Sequence, residues 1–152
     1  MPEKQTIERA RRDKREGKST STQAGEFVRE EIERIRGGAH GARSAKQAIA
    51  IGLSEARRAG VKLPPPDKGK TTPQTRRKAE RDLEAGDKPH ARVSAKRSRA
   101  STAALKRERK SSVSKSELSQ HAKAAASERS AGDRSRAARK AARTRARNRS
   151  GD

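Results

Sequence analysis

Between Arg134 and Arg149 the chain carries eight cationic side chains and no anionic one. Guanidinium and ammonium groups at that density suit one chemistry above others: neutralising a polymer of phosphates and releasing its counterions. On a helix advancing about 100° per residue, Arg136, Arg139, Lys140, Arg143 and Arg147 share an arc of about 100°. Ala137, Ala138, Ala141, Ala142 and Ala146 fill most of the opposite side, interrupted by Arg134, Arg145 and Arg149. A second basic patch comprises Lys96, Arg97, Arg99, Lys106, Arg107, Arg109 and Lys110. Base stacking is not on offer, because Phe27 is the single aromatic residue. No zinc-finger, RNP-type or leucine-zipper pattern is present, and Gly37–Arg43 is longer than a helix-turn-helix turn. The expected partner is nucleic acid, DNA ahead of RNA, held by its backbone without sequence readout.

Other chemistries find little support. His40, His90 and His121 lie far apart in polar sequence, with no second His or carboxylate at ligand spacing. They are expected to be solvent-exposed, and no metal site is expected. Gly69-Lys70-Thr71-Thr72 resembles the end of a phosphate-binding loop, but Pro64 replaces the leading glycine and no strand precedes it. No Gly-x-Ser-x-Gly occurs among the many serines. Two acidic clusters, Glu30-Glu31-Glu33 and Asp82-Glu84-Asp87, have Arg29, Arg34, Arg36 and Arg81 interleaved, which predicts ion pairs on helix surfaces. No catalytic residue, no cofactor and no small-molecule substrate is therefore expected, and the chain does not read as an enzyme.

The elements that must position these cations follow from composition. Net charge is +22 over 152 residues, with 28% hydrophobic and 39% charged side chains. Such a chain cannot bury enough apolar surface to order as one globule. Cysteine is absent, so disulfides are excluded. The expected class is all-α: a small N-terminal helical hairpin followed by a largely disordered or conditionally helical basic tail. Residues 1–63 form the helical module, with 15 basic and 9 acidic side chains. Within it residues 2–16 favour an accessory helix by propensity. In residues 23–36, Ala24, Phe27, Val28, Ile32 and Ile35 share a face that Glu31 interrupts. In residues 45–59 a stripe of Ala45, Ala48, Ile49, Gly52, Leu53, Ala56 and Ala59 follows a Ser44–Gln47 capping box. The small residues, Gly52 included, would let a neighbouring helix approach closely. Phe27, Val28, Ile32, Ile35, Ile49 and Leu53 are expected as hairpin core or partner contact, and self-association would also use them. Residues 64–72 read as linker and 73–86 as a short charged helix opened by Thr72-Pro73. Residues 87–152 form the basic tail; its helices, one capped at Ser114–Glu117 and one at Asp133, lack a hydrophobic face and are expected to form only on a partner.

Residues 19–66, STSTQAGEFVREEIERIRGGAHGARSAKQAIAIGLSEARRAGVKLPPP, resemble a family of small basic bacterial proteins of unknown function. The portion SAKQAIAIGLSEARRAGVKLP, residues 44–64, is the most distinctive, and Ser135–Arg145 (SRAARKAARTR) is similar to that family's tail. Some members are labelled DNA-binding or plasmid-stabilisation proteins. The resemblance implies a bacterial source and a nucleoid setting, and supplies no catalytic residues. The Lys/Arg, Ala and Ser alternation of residues 92–149 is similar to histone-like tails. No run approaches the ~18 apolar residues of a membrane span, so a cytoplasmic, nucleoid-associated location is expected and no membrane partner. Three other classes share the composition: a disordered stress-related solvating protein, an RNA- or ribosome-associated factor, and an adaptor gripping a protein through the hairpin.

Overall fold

In a computed structural model the described residues are 2–88 and 94–149, and among them the regular elements are helical. They are α1 (Lys4–Arg15), α2 (Thr20–Arg36), α3 (Ala45–Arg58), α4 (Pro73–Gly86), α5 (Ala95–Lys106), α6 (Lys115–Ser127) and α7 (Ala131–Arg149), with a 3-10 turn at Ser111–Val113 before α6. Among the described residues no helix is long and apolar enough to cross a membrane.

Local sequence sets the helix ends. The Ser44 hydroxyl accepts from the Gln47 N–H at 3.2 Å, and the Gln47 side chain reaches back to the Arg43 N–H at 2.7 Å. Thr72 caps α4 by accepting from the Thr75 N–H at 3.2 Å, with Pro73 at the first helical position. At the end of α3, Gly60 has φ +93°. There the Val61 N–H reaches the Ala56 carbonyl at 3.0 Å and the Gly60 N–H reaches Arg57 at 3.0 Å. That is a Schellman ending, and it delivers Val61 into the core.

Two small apolar clusters lie where α2 meets α3. Ala10, Ala24, Phe27, Ala56 and Val61 form one, with Ile7, Leu53, Ala59 and Leu63 packed around it. Ile35, Ala42, Ala48 and Val113 form the other, with Ile32 beside it. Phe27 shares a cluster with Ala56 and Ile35 with Ala48, so the two helices run in opposite order. The close approach occurs at Gly52, where a Cβ would fall 2.6 Å from the Val28 Cα. Helix α1 lies on α2 through Ala10 and through Arg9 to Glu26 at 2.6 Å. Helix α4 lies on α3, with Ser54 donating to Asp82 at 2.7 Å. The 64–72 stretch is pinned rather than loose: Arg57 donates to the carbonyls of Leu63 and Pro64, and Arg76 to that of Pro66.

The described residues of the basic tail are helical rather than disordered. Three helices, α5, α6 and α7, run through it in place of the expected disordered or partner-dependent chain. The causes are local. Ala, Arg and Lys are strong helix formers, and each of the last two helices has a capping serine. The Ser114 hydroxyl accepts from the Glu117 N–H at 3.2 Å, and the Ser130 hydroxyl from the Asp133 N–H at 3.1 Å. Asp133 is therefore not the cap of α7 but the third helical residue behind Ser130, to which the serine hydroxyl also donates at 2.7 Å.

Compact structure also extends beyond Leu63. One compact unit covers Met1–Glu117 and a second covers Leu118–Asp152. The first is long because residues 105–113 fold back onto the α2–α3 connection. The Gly41 N–H donates to Leu105 at 2.9 Å, and the Ala42 N–H to Arg109 at 3.1 Å. The Arg36 guanidinium donates to the Val113 carbonyl at 3.2 and 3.1 Å. Val113 is 0% exposed beside Ile35 and Ala42. Substituting Val113→Ala is expected to lower stability by roughly 2 kcal/mol in urea unfolding, since two methyls leave a sealed site. A loss within the ~0.5 kcal/mol of ordinary surface changes would mean that the turn packs nothing.

Candidate nucleic-acid interface

The eight cations of the last helix sit on one continuous element, α7, and every one of them is exposed. Arg136, Arg139, Lys140, Arg143 and Arg147 thus form a stripe along a preformed helix, roughly 17 Å from end to end at 1.5 Å per residue. Asp133 is the acidic residue of that helix, and it pairs with Arg136. Arg134 donates to the Arg129 carbonyl at 2.6 Å. The remaining alanines carry no bulk that would hold the helix off a flat partner.

The second patch divides. Lys96, Arg97, Arg99 and Lys106 lie on α5, Arg107 caps its C-terminus, and Arg109 and Lys110 belong to the turn that docks on the hairpin. All seven are exposed. On the helix, Lys96, Arg99, Lys106 and Arg107 fall within about 100° of arc, and Arg97 falls outside it. Docking therefore holds Arg109 and Lys110 against a fixed backbone.

The six residues expected as hairpin core or partner contact separate in the same way. Phe27 and Ile35 are fully buried, while Val28, Ile32, Ile49 and Leu53 are half-buried. Leu53 and Ile32 pack against the two clusters, and Val28 lies under the Gly52 backbone.

The acidic residues of α2 correct the sequence-based expectation most. Glu30 and Glu31 do not decorate the helix surface; both are buried, Glu31 with 0% side-chain exposure. Arg34 pairs with Glu30, with Glu31 at 3.3 Å and with Glu55 of α3 at 3.2 Å. The backbone N–H of Glu3 donates to Glu30 at 3.0 Å. His40, expected to be solvent-exposed, is mostly buried, with Nε2 3.5 Å from Glu31 and Nδ1 3.1 Å from the Gly41 carbonyl. His121 is half-buried on α6, and His90 lies outside the described residues. Burial works to raise the Glu30 carboxyl, but hydrogen bonds from Thr6, the Glu3 N–H and Arg34 outweigh it and hold it below the usual range. Burial pushes the Glu31 carboxyl up, and the neighbouring Glu55 and Glu30 add to this against the pull of His40 and Arg34. Arg34 occupies the centre that a cation would need, and among the described residues no three His, Cys, Asp or Glu are placed to hold a metal. The cluster ties α1, α2, α3 and the connection together, so its role is architectural.

Arg36 is a residue that sequence reasoning left among the surface pairs. Its guanidinium carries the Val113 carbonyl, which no local pattern announces because 77 positions separate the two. The usable signal was Val113 itself, a solitary apolar residue within KSSVSK.

Residues 3–68 match the model of a family described as a family of unknown function (DUF6496). The match covers α1 to α3 and the proline-rich stretch behind them, and it stops before α4 and before the Leu105–Val113 segment that completes the second cluster. It carries no DNA-binding or plasmid-stabilisation label, so that part of the resemblance is not supported. Neither a curated protein nor a solved structure matches the chain.

Proposed function

We propose that this chain binds nucleic acid through its phosphate backbone without reading sequence, as a nucleoid-associated, histone-like protein with duplex DNA as its main partner. The supporting observation is the exposed cationic stripe of α7, set in a chain of net charge +22. A preformed helix presents those charges without the ordering entropy that a flexible tail would lose on contact. Arginine predominates on α7, and its planar fork suits phosphate oxygens better than a point charge does. The single aromatic residue, Phe27, is sealed in the hairpin core, so no stacking platform is available to single strands. Contacts should then follow phosphate geometry alone.

The test is a salt titration of binding to a short labelled DNA duplex and to structured RNA of equal length. If about eight cations engage duplex phosphates, log K should fall against log salt with a slope of roughly −7. Replacing Arg136, Arg139, Lys140, Arg143 and Arg147 together by Gln should reduce the slope by about 4 to 5 units. Absence of binding to either nucleic acid at about 50 mM salt would sink the proposal, because several phosphate contacts are strong there. Tighter binding to structured RNA would move the partner to RNA or the ribosome.

A further inference from the structure

Docking of residues 105–113 on the α2–α3 connection brings part of the second basic patch beside Arg36. Residues 36–43 and 105–113 are far apart in the chain, yet three sets of contacts bring them together. The Gly41 and Ala42 N–H groups donate to the Leu105 and Arg109 carbonyls at 2.9 and 3.1 Å. The Arg36 guanidinium closes on the Val113 carbonyl at 3.1 Å. The Lys110 ammonium lies over Gly38 at the end of α2, 3.0 Å from where a Cβ would stand. A Cβ on Gly41 would collide with the Glu108 carbonyl, so the two backbones touch.

This docking sets the backbone next to Arg43 against that of Arg109 and puts the Arg36 and Lys110 side chains on the same junction, with Arg107 two residues before Arg109. All five are exposed, and among the described residues none of them takes part in an ion pair. The carboxylate within the turn, Glu108, is half-buried with its backbone against Gly41. Glu33 on α2 is occupied by Arg29 at 3.1 Å, and Glu31 is sealed beneath. Five cations against the one carboxylate of the turn leave an excess of positive charge, and the docked backbone keeps it there. A phosphate backbone neutralises that excess, and four guanidinium groups against one ammonium favour its bidentate oxygens.

We propose that Arg36, Arg43, Arg107, Arg109 and Lys110 form a composite, fold-dependent nucleic-acid backbone site on the unit Met1–Glu117, additional to α7. The inference rests on the nucleic-acid reading above and deepens it, because each of the two compact units then carries its own phosphate contact. A chain of this kind can hold phosphates with one unit while the other is free.

Two variants of the full chain test it on the same DNA duplex, between about 50 mM and about 200 mM salt. Arg43→Gln with Arg109→Gln removes two exposed charges and should reduce the salt slope by about 2. Gly41→Leu removes no charge but forces the turn off the connection, and should produce a reduction of similar size. Arg139→Gln with Arg143→Gln on α7 serves as the parallel control. If only the α7 pair lowers the slope, nucleic-acid binding stands and the composite site is refuted. If the Arg43/Arg109 pair lowers it and folded Gly41→Leu does not, the cations act without docking and the fold-dependence is refuted. Competition by an acidic polypeptide that erases the Arg43/Arg109 effect but spares the α7 effect would reassign the corner to a protein partner. Failure of the unaltered chain to bind at all would remove both readings.

Discussion

Arg34→Met is expected to cost the fold about 3–5 kcal/mol at neutral pH, with much of that loss disappearing in mild acid. Arg34 is the shared cation of three carboxylates, Glu30, Glu31 and Glu55, from two helices. One oxygen of Glu30 and one of Glu31 already lack a partner inside the core, so removing the guanidinium leaves nearly uncompensated buried charge. In the native chain the Glu30 carboxyl is held low, so its contribution is present above the unfolded carboxyl range and is lost as pH falls through the folded value. Glu31 behaves oppositely. Its raised carboxyl destabilises the fold when ionised, and that penalty is relieved as pH falls through the folded value. Without Arg34 the Glu31 carboxyl loses one of the two groups that pull it down and Glu30 loses one of its hydrogen-bond donors, so the gap between variant and native chain should narrow on acidification. Urea unfolding at pH 7 and pH 5 decides it. A gap that is small at pH 7, or that widens at pH 5, would mean that the cluster is wet and the guanidinium dispensable.

The same cluster marks where periodicity stops being a guide. Ala24, Phe27 and Ile35 recur at helical spacing and are buried as that spacing predicts. Glu31 lies on the same face and is buried with them, while Val28 and Ile32 are only half-buried. A carboxylate can take a core position when a cation one turn on, and a second chain segment, contact one of its oxygens. In this molecule Arg34 supplies the first and His40 the second. Neither contact alters the local pattern, so the residues read as surface pairs. Capping signals were more legible, because Ser44 with Gln47, Thr72 with Thr75 and Ser114 with Glu117 each act within a single turn.

The order of the tail was illegible for a related reason. A sparse apolar content argues against a core, and α7 indeed buries nothing. What the composition does not weigh is that alanine and arginine need no core to favour helix, and that a capping serine begins each of the last two helices. Nor does it weigh a single valine. Val113 has no apolar neighbour within three residues on either side, yet it fills the second cluster and fixes the path of eight preceding residues. The candidate interface was therefore half visible: the charges of α7 are local and could be read directly, whereas the corner built by Arg36 and Arg109 exists only after folding.

Gly52→Ala should destabilise the protein by about 2–3 kcal/mol, although alanine is the better helix former. Position 52 is mid-helix in α3, where glycine alone costs about 1 kcal/mol relative to alanine. The added methyl would meet the Val28 Cα at 2.6 Å, the Val28 nitrogen at 2.9 Å and the Phe27 carbonyl carbon at 3.1 Å. Those atoms are backbone and cannot rotate away, so α2 and α3 must separate and loosen Phe27, Ala24 and Ala56 together. Gly25 provides the matched opposite case. It lies inside α2, is exposed, and has nothing within 4 Å of its missing Cβ, so Gly25→Ala should stabilise by up to about 1 kcal/mol. Thermal unfolding of the two variants beside the native chain reads both signs at once. Opposite shifts assign the cost at position 52 to helix contact, whereas parallel stabilisation would show that α2 and α3 do not meet at Gly52, and the hairpin on which the composite corner depends would have to be redrawn.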